Sequence, residues 1–288
     1  MSTVVLRYSS LGDVVLAGAV TKALGDVCFV TKAAYAPVAS RLIGVGSVRV
    51  HGVDAVPRAG PLVDLQADLR SRRVTLGRGR VRRVARHDLR RRLRVALKVG
   101  APPPRVIERY ALAAGVTPAA PPWFEVAGPR DATVLIPGAR WGTKRWAPDR
   151  WSALARALPG PLLVLGGPGE EALVRAVCAA APDRATPVCE SGFDATFASL
   201  GRGRVAIGGD TGLLHLCAGA GMPVVGLFGP TTAQDGFWCH RGVPVERPLP
   251  CRPCSRHGTD RCPIGDHKCM EDLTVAAVVG AVERAVGL

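Results

Sequence analysis

The sequence is poor in aromatic residues and in negative charge, and it has no long apolar segment. Aromatic side chains make up 5% of the 288 residues, and 23 acidic residues stand against 38 basic ones, which gives a formal charge of +15. No run approaches the roughly 18 apolar residues that a membrane-spanning helix needs. The positive charge predicts an anionic partner, either a nucleic acid, a membrane surface or a phosphorylated substrate.

Signals for export are also missing. The N-terminus reads MSTVVLRYSSLGD, without a basic segment ahead of an apolar one and without a cleavage site. Nine cysteines in a chain of this length do not indicate a secreted disulfide scaffold. We therefore expect a cytoplasmic protein, and its hydrophobic content of 48% is enough to fill the cores of two ordinary domains.

Two motifs of phosphate chemistry are absent from the sequence. It contains neither a P-loop of the form GxxxxGK[ST] nor a DxD-like acidic pair for Mg²⁺. A metal-free site for a nucleotide sugar therefore fits the sequence better than a phosphoryl-transfer site.

Short apolar strands alternate with helical segments along most of the chain. The predicted strands are 3–7, 27–30, 48–51, 62–65, 133–136, 162–165, 205–207 and 224–228, and the predicted helices are 14–24, 33–42, 106–114, 149–158, 170–180, 193–200 and 275–286. This alternation predicts an α/β fold with mainly parallel sheets. The proline-rich segment 117–129 is the predicted linker, which separates a domain at 1–120 from a second at 121–271, followed by a C-terminal helix at 272–288.

The most informative stretch is GGDTGLLHLCAGAGMPVVGLFGPT, from Gly208 to Thr231. Its glycines, including Gly212, allow a ligand to approach the backbone closely. Asp210 and Thr211 stand where a helix N-cap belongs, and His215 follows one turn into the helix. The N–H groups at the start of that helix predict an anion site, although glycines that serve only close packing of a strand–helix–strand unit would give a similar pattern.

A second candidate loop follows the strand at 133–136. It provides Gly138, Arg140 and Lys144, which could bind a diphosphate together with the turn at Asp210. Glu170 follows the next strand and could bind ribose hydroxyls, as acidic residues at strand ends do in nucleotide-binding folds. Alternatively, Glu170 is a carboxylate that the dipole at the start of a helix favours.

In the first half, Asp13 follows the first strand at a strand-to-helix turn, the position where open α/β folds bind ligands. A plain N-terminal helix carboxylate is the alternative. The candidate residues for binding an acceptor lie around the same strand ends and at the beginning of a basic segment. They are Ser10, Gly12, Gln66, Arg70, Arg72 and Arg73.

Residues 70–98 form a basic block with 13 arginines and lysines and no aromatic residue. The missing aromatics argue against a single-stranded nucleic-acid site, which would need stacking platforms. Val81, Val84, Leu89, Leu93 and Leu97 predict an apolar stripe and hence a folded segment. The charges form either a solvated face or a patch for acidic groups on a substrate or a membrane surface.

Four cysteines are clustered near the C-terminus, at Cys251, Cys254, Cys262 and Cys269. Four thiolates close in sequence could hold a tetrahedral structural zinc, but the second pair lacks CxxC spacing. Free buried thiols and a disulfide are the other possibilities. We assign this segment no catalytic role.

Taken together, several motifs resemble a known family. RYSSLGDVVLA, DLQADLRS, PGARWGTKRWAPDRW, GGPGEE, GGDTGLLHLCAGAGMPVVGLFGPT and the late CxxC…CPIGDHKCM are similar, in the same order, to the ADP-heptose:lipopolysaccharide heptosyltransferases of glycosyltransferase family 9. The resemblance covers nearly the whole chain and implies a GT-B fold, with two Rossmann-like domains facing a central cleft.

The resemblance also implies an activity. It is the inverting, metal-independent transfer of heptose from ADP-heptose to the inner core of lipopolysaccharide, a Kdo- or heptose-bearing lipid A. In this sequence, Asp13 matches the family's proposed general base, Lys144 its diphosphate-binding lysine and Glu170 its ribose-contacting glutamate. The turn with Asp210, Thr211, Gly212 and His215 matches the part that holds the diphosphate and sugar.

This resemblance implies a nucleotide-sugar donor and an anionic lipid acceptor as partners, with peripheral contact to the inner membrane surface and no cofactor needed for catalysis. A GT-B transferase that uses another nucleotide sugar is an alternative. A basic nucleic-acid-binding protein with a cysteine–metal knuckle is the alternative outside this class, and we expect no nucleic acid as partner.

Overall fold

The computed structural model describes residues 1–189, 192–235 and 241–287, which form two compact units. The first unit comprises Met1–His87, Pro104–Glu125 and Gly219–Gly221. The second unit comprises Asp88–Pro103, Val126–Ala218 and Met222–Leu288. The chain thus passes more than once from one unit to the other, and residues of the basic block belong to both.

A five-stranded sheet organises the first unit. Its strands are β1 (Thr3–Leu6), β2 (Val27–Thr31), β3 (Val45–Val50), β4 (Leu62–Asp64) and β5 (Val81–Arg83). All paired strands are parallel, in the order β3-β2-β1-β4-β5. The strand order reverses between β1 and β4, so the loops after these two strands meet at the point where doubly wound folds bind ligands.

A six-stranded parallel sheet organises the second unit. Its strands are β6 (Ala132–Ile136), β7 (Leu162–Leu165), β8 (Ala185–Val188), β9 (Gly203–Gly209), β10 (Val224–Phe228) and β11 (Gly242–Glu246). Their order is β11-β10-β9-β6-β7-β8. This is the strand order of a dinucleotide-binding fold, and its reversal lies between β6 and β9.

Helices connect the strands, as parallel pairing requires. They are α1 (Leu11–Leu16), α2 (Gly18–Leu24), α3 (Ala36–Ala39), α4 (Leu69–Val74), α5 (Asp88–Leu97), α6 (Val106–Ala114), α7 (Pro148–Ala157), α8 (Glu171–Ala179), α9 (Gly192–Leu200), α10 (Gly212–Gly219), α11 (Lys268–Glu271) and α12 (Val275–Val286). Short 3-10 turns span Ala33–Tyr35, Gly142–Lys144 and Ala233–Asp235. Among the described residues, no helix is long and apolar enough to cross a bilayer.

Burial in the core of the second unit explains why its central strands are continuous apolar runs. Strands β6, β7 and β10 are buried at every position. Trp146 and Trp151 meet edge to face, with ring centroids 5.2 Å apart. The indole N–H of Trp146 donates to the carbonyl oxygen of Leu273, 3.0 Å away, which ties the segment before α12 to this core.

Two predicted helices differ from the observed ones by more than one residue at an end. The helix expected at 14–24 begins earlier and is divided at Ala17, whose N–H is shared between the carbonyl oxygens of Asp13 and Val15. The helix expected at 33–42 is an α-helix only over Ala36–Ala39, preceded by a 3-10 turn. Pro37 explains the change, because its nitrogen has no hydrogen to donate to the preceding turn.

Three strands have no counterpart in the sequence prediction, namely β5, β8 and β11. They are edge strands of the two sheets, and most of their residues are partly or fully exposed. An edge strand with exposed positions needs no continuous apolar run. The signal used to find the central strands is therefore missing in these three.

The predicted apolar stripe of the basic block does not form a buried face. Residues 70–98 divide into α4, β5 and α5, with Val84 buried. By contrast, Leu89, Leu93 and Leu97 are 70%, 46% and 60% exposed. Hydrophobic spacing correctly indicated a folded segment, but it did not indicate which face would be covered.

Candidate active site

In the second unit, most of the candidate donor-binding residues lie at or beside the strand reversal. Lys144 belongs to the loop after β6, and Asp210 directly follows the neighbouring strand β9. Glu170 follows β7, the neighbour of β6 on its other side. Because parallel strands end at the same edge of a sheet, residues 66 positions apart meet there.

Lys144 and Asp210 form a nearly buried ion pair. Nζ of Lys144 lies 2.7 Å from Oδ2 of Asp210 and donates a second hydrogen bond of 2.9 Å to the Asp210 backbone oxygen. The two side chains are only 11% and 9% exposed. An ammonium group has three N–H donors, so among the described contacts one donor of Lys144 remains for an anionic ligand.

Further groups surround the Asp210 carboxylate. Nε2 of His215 lies 3.4 Å from Oδ1, and the hydroxyl of Thr231 donates to Oδ2 over 3.3 Å. Burial acts to raise the pKa of Asp210, but the Lys144 charge and the His215 hydrogen bond outweigh it, so the pKa lies far below its usual value. Asp210 is therefore ionised at neutral pH, and its ion pair holds the Lys144 side chain in place.

The loop that carries Lys144 is fixed by backbone-directed hydrogen bonds. The hydroxyl of Thr143 donates to the carbonyl oxygen of Thr259, 2.7 Å away, and accepts from the Thr259 N–H at 2.9 Å. Nε2 of His267 lies 3.0 Å from the Thr143 carbonyl oxygen. Residues of the cysteine segment thus hold the loop that carries Lys144 in position, a role that the sequence did not reveal.

Gly138 and Glu170 are in direct contact. A Cβ atom at Gly138 would lie 2.0 Å from Cδ of Glu170 and 2.1 Å from both carboxylate oxygens. The carboxylate itself accepts a 2.7 Å hydrogen bond from the N–H of Gly167. The absence of a side chain at Gly138 is therefore what allows Glu170 to lie across the end of β6.

Arg140 stands apart from this cluster. It is exposed, and its guanidinium lies over the ring of Trp141, 5.0 Å from the centroid. None of the described hydrogen bonds joins it to Lys144 or Asp210. By contrast, Thr211 lies between β9 and α10, and Gly212 is the first residue of α10. The hydroxyl of Thr211 is buried and has no hydrogen-bond partner within the described residues.

In the first unit, Asp13 lies in the first turn of α1 and is the centre of a second polar cluster. Its Oδ2 accepts hydrogen bonds from the N–H and the hydroxyl of Ser10, at 3.1 and 2.9 Å. The guanidinium of Arg7 lies 2.7 Å from the same oxygen. Tyr110 on α6 donates from its hydroxyl to Oδ1 over 3.1 Å.

These contacts set the protonation state of Asp13. Burial acts to raise its pKa, but the charge of Arg7 and the hydrogen bonds from Ser10 lower it more, so the pKa lies below the usual 3.8. Arg7 is held in turn by its hydrogen bond to the Leu65 carbonyl oxygen, 2.7 Å away. Arg7 and Tyr110 were not among the residues predicted from sequence, because only the fold brings them to Asp13.

Most of the candidate acceptor-binding residues lie near Asp13 along the ends of β1 and β4. Oε1 of Gln66 accepts from the Tyr8 N–H at 3.0 Å, and the guanidinium of Arg70 lies 6.0 Å from the centroid of the Tyr8 ring. The hydroxyl of Ser10 donates to the Asp13 carboxylate, and Gly12 is buried in α1. The other two, Arg72 and Arg73, are exposed on α4, and no described side-chain contact joins them to this cluster.

The cysteine segment gives no support for zinc. In the described part of the chain, no group of three or more His, Cys, Asp or Glu side chains is arranged to hold a metal ion. Cys251, Cys254, Cys262 and Cys269 are all free thiols. Burial raises the pKa of Cys269 to about 11, so this thiol stays protonated at neutral pH.

Comparison with known proteins defines the class and then the family. The fold, with its two parallel sheets, matches GT-B-like heptosyltransferase structures. The model of the family described as glycosyltransferase family 9 (heptosyltransferase) matches residues 79–260. The chain therefore belongs to glycosyltransferase family 9. No match was found among curated protein sequences.

Three solved structures illustrate the similarity. ADP-heptose lps heptosyltransferase II of E. coli is 17% identical, with a TM-score of 0.76, over 99% of this chain and 98% of that one. E. coli heptosyltransferase WaaC with ADP-2-deoxy-2-fluoro heptose is also 17% identical, with a TM-score of 0.67 and 99% of both chains covered. The iron-containing dodecameric glycosyltransferase TibC from enterotoxigenic E. coli H10407 is 14% identical, with a TM-score of 0.61, over 99% of this chain and 75% of that one.

Proposed function

We propose that this glycosyltransferase transfers a heptose from ADP-heptose to the inner core of a lipopolysaccharide precursor, with inversion and without a catalytic metal. The observation that carries the proposal is the buried cluster of Lys144, Asp210 and His215 at the strand reversal of a dinucleotide-type sheet. Two of the similar structures are named as ADP-heptose enzymes or contain an ADP-heptose analogue, which supports this choice of donor.

Donor binding follows from the contacts of the second unit. The remaining N–H donor of Lys144 would bind a diphosphate oxygen, and a charge-assisted bond of this kind contributes about 1.5–3 kcal/mol. The buried hydroxyl of Thr211 would gain a partner at the same turn. Glu170 would accept from ribose hydroxyls, since one of its oxygens already holds the Gly167 N–H and orients the group.

The chemical step requires a base and a stabilised leaving group. In an inverting single displacement, the acceptor hydroxyl attacks the anomeric carbon, its proton passes to a carboxylate, and the diphosphate leaves with the bonding electrons. Asp13 is the proposed base, because Arg7 and Ser10 hold it as an anion. Lys144 would stabilise the negative charge that develops on the diphosphate.

For the acceptor, the proposal is a Kdo- or heptose-bearing lipid A, whose anionic groups would bind Arg70 and neighbouring arginines. Arg70 is already oriented by Asp68, with Nε and a terminal nitrogen 2.9 and 2.6 Å from Oδ2. A guanidinium anchored in this way presents its remaining donors in a fixed direction, which favours recognition of phosphate or carboxylate.

The first test is thermal stabilisation by a panel of nucleoside diphosphates in the presence of EDTA. A ligand at a hundred times its dissociation constant stabilises by about 2.7 kcal/mol, which is visible as a shift in Tm. We expect a selective shift with ADP. Selective stabilisation by UDP or another diphosphate would instead indicate another nucleotide sugar, and a shift that requires added metal would contradict the metal-free donor site.

Turnover tests the assignment of Asp13. With ADP-heptose and a Kdo-bearing acceptor, Asp13→Asn should lose about 10²–10⁴-fold in kcat and retain the ADP-induced shift in Tm. The matched control is Asp183→Asn, at an exposed aspartate of the second unit, which should leave both values unchanged. Normal turnover by Asp13→Asn would refute its role as the base.

A further inference from the structure

Helix α5 presents an exposed row of leucines in an otherwise basic segment. Leu89, Leu93 and Leu97 are spaced four residues apart, so they lie on one face of the helix. Their exposed fractions are 70%, 46% and 60%, and Val99, just beyond the helix, is 61% exposed. Apolar side chains grouped in this way on a protein surface mark an interaction site more often than leucines scattered singly.

Arginines border this row on both sides. At 3.6 residues per turn, the three leucines cover an arc of about 80°, with Arg92 beside one edge and Arg90 beside the other. Both arginines are exposed. The long stems of arginines allow their charged ends to reach a layer of anions while the neighbouring leucines enter an apolar one.

The opposite side of α5 is fastened to the second unit by polar contacts. Nε of Arg94 lies 3.1 Å from Oδ1 of Asp235, and Arg91 donates to the Arg256 carbonyl oxygen over 3.1 Å. Lys98 donates to the carbonyl oxygen of Pro253 over 2.6 Å. These contacts keep the leucine face outward, so its exposure is a consequence of how the helix is anchored.

We propose that α5 is an interfacial membrane-binding helix, which inserts Leu89, Leu93 and Leu97 into the headgroup region of an anionic bilayer while Arg90 and Arg92 bind lipid phosphates. A basic helix with a narrow apolar face has the composition of helices that lie in the plane of a membrane surface. The choice of partner rests in part on the lipid-linked acceptor of the proposed function, because an enzyme acting on such a substrate works at a bilayer.

Charge complementarity favours a membrane over the other partners. In a symmetric contact between two copies of α5, arginines would face arginines around the leucines, and like charges oppose association. Nucleic acid would neutralise the arginines, but its charged phosphate backbone would not bury the leucines. An anionic bilayer satisfies both parts of the face, the arginines with headgroups and the leucines with the acyl boundary.

The test is sedimentation of the full chain with vesicles of phosphatidylcholine alone or with an equal part of phosphatidylglycerol, without donor or acceptor. Wild-type protein should bind the anionic vesicles and release them as salt increases. The triple variant Leu89→Ser/Leu93→Ser/Leu97→Ser should bind at least about tenfold more weakly. Arg90→Gln/Arg92→Gln should lose about 25-fold, roughly fivefold for each charge.

Matched controls distinguish binding by this face from nonspecific hydrophobic or electrostatic binding. Leu112→Ser removes a leucine that is 81% exposed on α6 and should bind like wild type. Arg156→Gln/Arg204→Gln removes the same charge from other exposed positions and should lose clearly less than the α5 pair. Because the substituted side chains are exposed, all variants should keep the wild-type Tm, and the arginine pair remains informative if the leucine triple variant does not fold.

Three results would overturn the proposal. They are equal binding by the leucine variant and wild type, no preference of wild type for anionic vesicles, and a wild-type dimer that the leucine variant converts into a monomer. The last result would identify a second copy as the occupant. ADP stabilisation is measured separately, so a failure with vesicles and a failure of the proposed function are distinguishable.

Discussion

The hydroxyl of Tyr110 donates a hydrogen bond of 3.1 Å to Oδ1 of Asp13, a residue 97 positions earlier in the chain. Arg7 and Ser10 contact Oδ2, so both oxygens of the carboxylate have protein donors. Tyr110 therefore fixes the rotation of the carboxylate, and we propose it as a positioning residue for Asp13. Burial raises the pKa of Tyr110 well above its usual value, which keeps its hydroxyl protonated and able to donate.

Replacement of Tyr110 by Phe should lower kcat with little change in the affinity for ADP. The ring is retained, and only the hydrogen bond to Asp13 is lost, which contributes about 1.5–3 kcal/mol when the acceptor is charged. We expect a decrease of about tenfold or more in kcat, measured by transfer assays. The control is Tyr35→Phe, on the 3-10 turn before α3, and a Tyr110→Phe enzyme with unchanged kcat and pH profile would contradict the positioning role.

Replacement of Arg7 by Gln should change the pH dependence of activity. Arg7 lowers the pKa of Asp13, so its removal raises that pKa and moves the acidic limb of the kcat/KM profile to higher pH. The measurement is a pH–rate profile of wild type and variant, with donor and acceptor concentrations held constant. An acidic limb at the same pH in both proteins would exclude Arg7 as the main cause of the low pKa.

The same variant should be less stable, in a pH-dependent manner. A carboxyl whose folded pKa is depressed contributes stability above its unfolded pKa and loses that contribution as the pH falls through the folded value. The difference in unfolding free energy between wild type and Arg7→Gln should therefore be largest above pH 3.8, the ordinary pKa of an aspartate. It should become smaller as the pH falls below that value. Urea denaturation at several pH values measures this difference.

Removal of Lys144 should weaken ADP binding in a way that can be separated from its effect on stability. Lys144→Met leaves the Asp210 carboxylate without its cation, so it should lower stability as well as ADP affinity. The double variant Lys144→Met/Asp210→Asn removes both charges and should recover most of the stability. Its ADP affinity should stay about 10–100-fold below wild type by calorimetry, and recovery of both properties would show that Lys144 is only structural.

Gly138→Ala tests the contact with Glu170. The added Cβ would lie 2.0 Å from the carboxylate carbon, so the Glu170 side chain would have to leave its position at the end of β6. We expect weaker ADP binding by about tenfold, the size of one lost charge-assisted hydrogen bond. Gly79→Ala is the control, because a Cβ there meets no atom within 4 Å. Unchanged ADP affinity in Gly138→Ala would refute the role of Glu170 in binding the ribose.

Sequence patterns correctly indicated the central strands, because a strand buried on both faces must be apolar at every position. The helices at Val106–Ala114 and Val275–Val286 were confirmed with the same bounds. The edge strands β5, β8 and β11 were missed because partial exposure removes that signal, whereas the edge strand β3 was predicted in part, at 48–51. The family was also recognisable from sequence, because motifs such as RYSSLGDVVLA and GGDTGLLHLCAGAGMPVVGLFGPT occur along the chain in the family's order.

Local sequence by itself determined the central strands, the strand-end loops and the identity of Asp13, Lys144, Glu170 and Asp210 as polar groups at those ends. Only the tertiary structure decided that Lys144 pairs with Asp210, that Arg7 and Tyr110 hold Asp13, and that the leucines of α5 face outward. The reason is that burial and pairing depend on which strand ends the sheet order brings together and on which face of a helix is anchored, and neither is encoded in the spacing of residues within one segment.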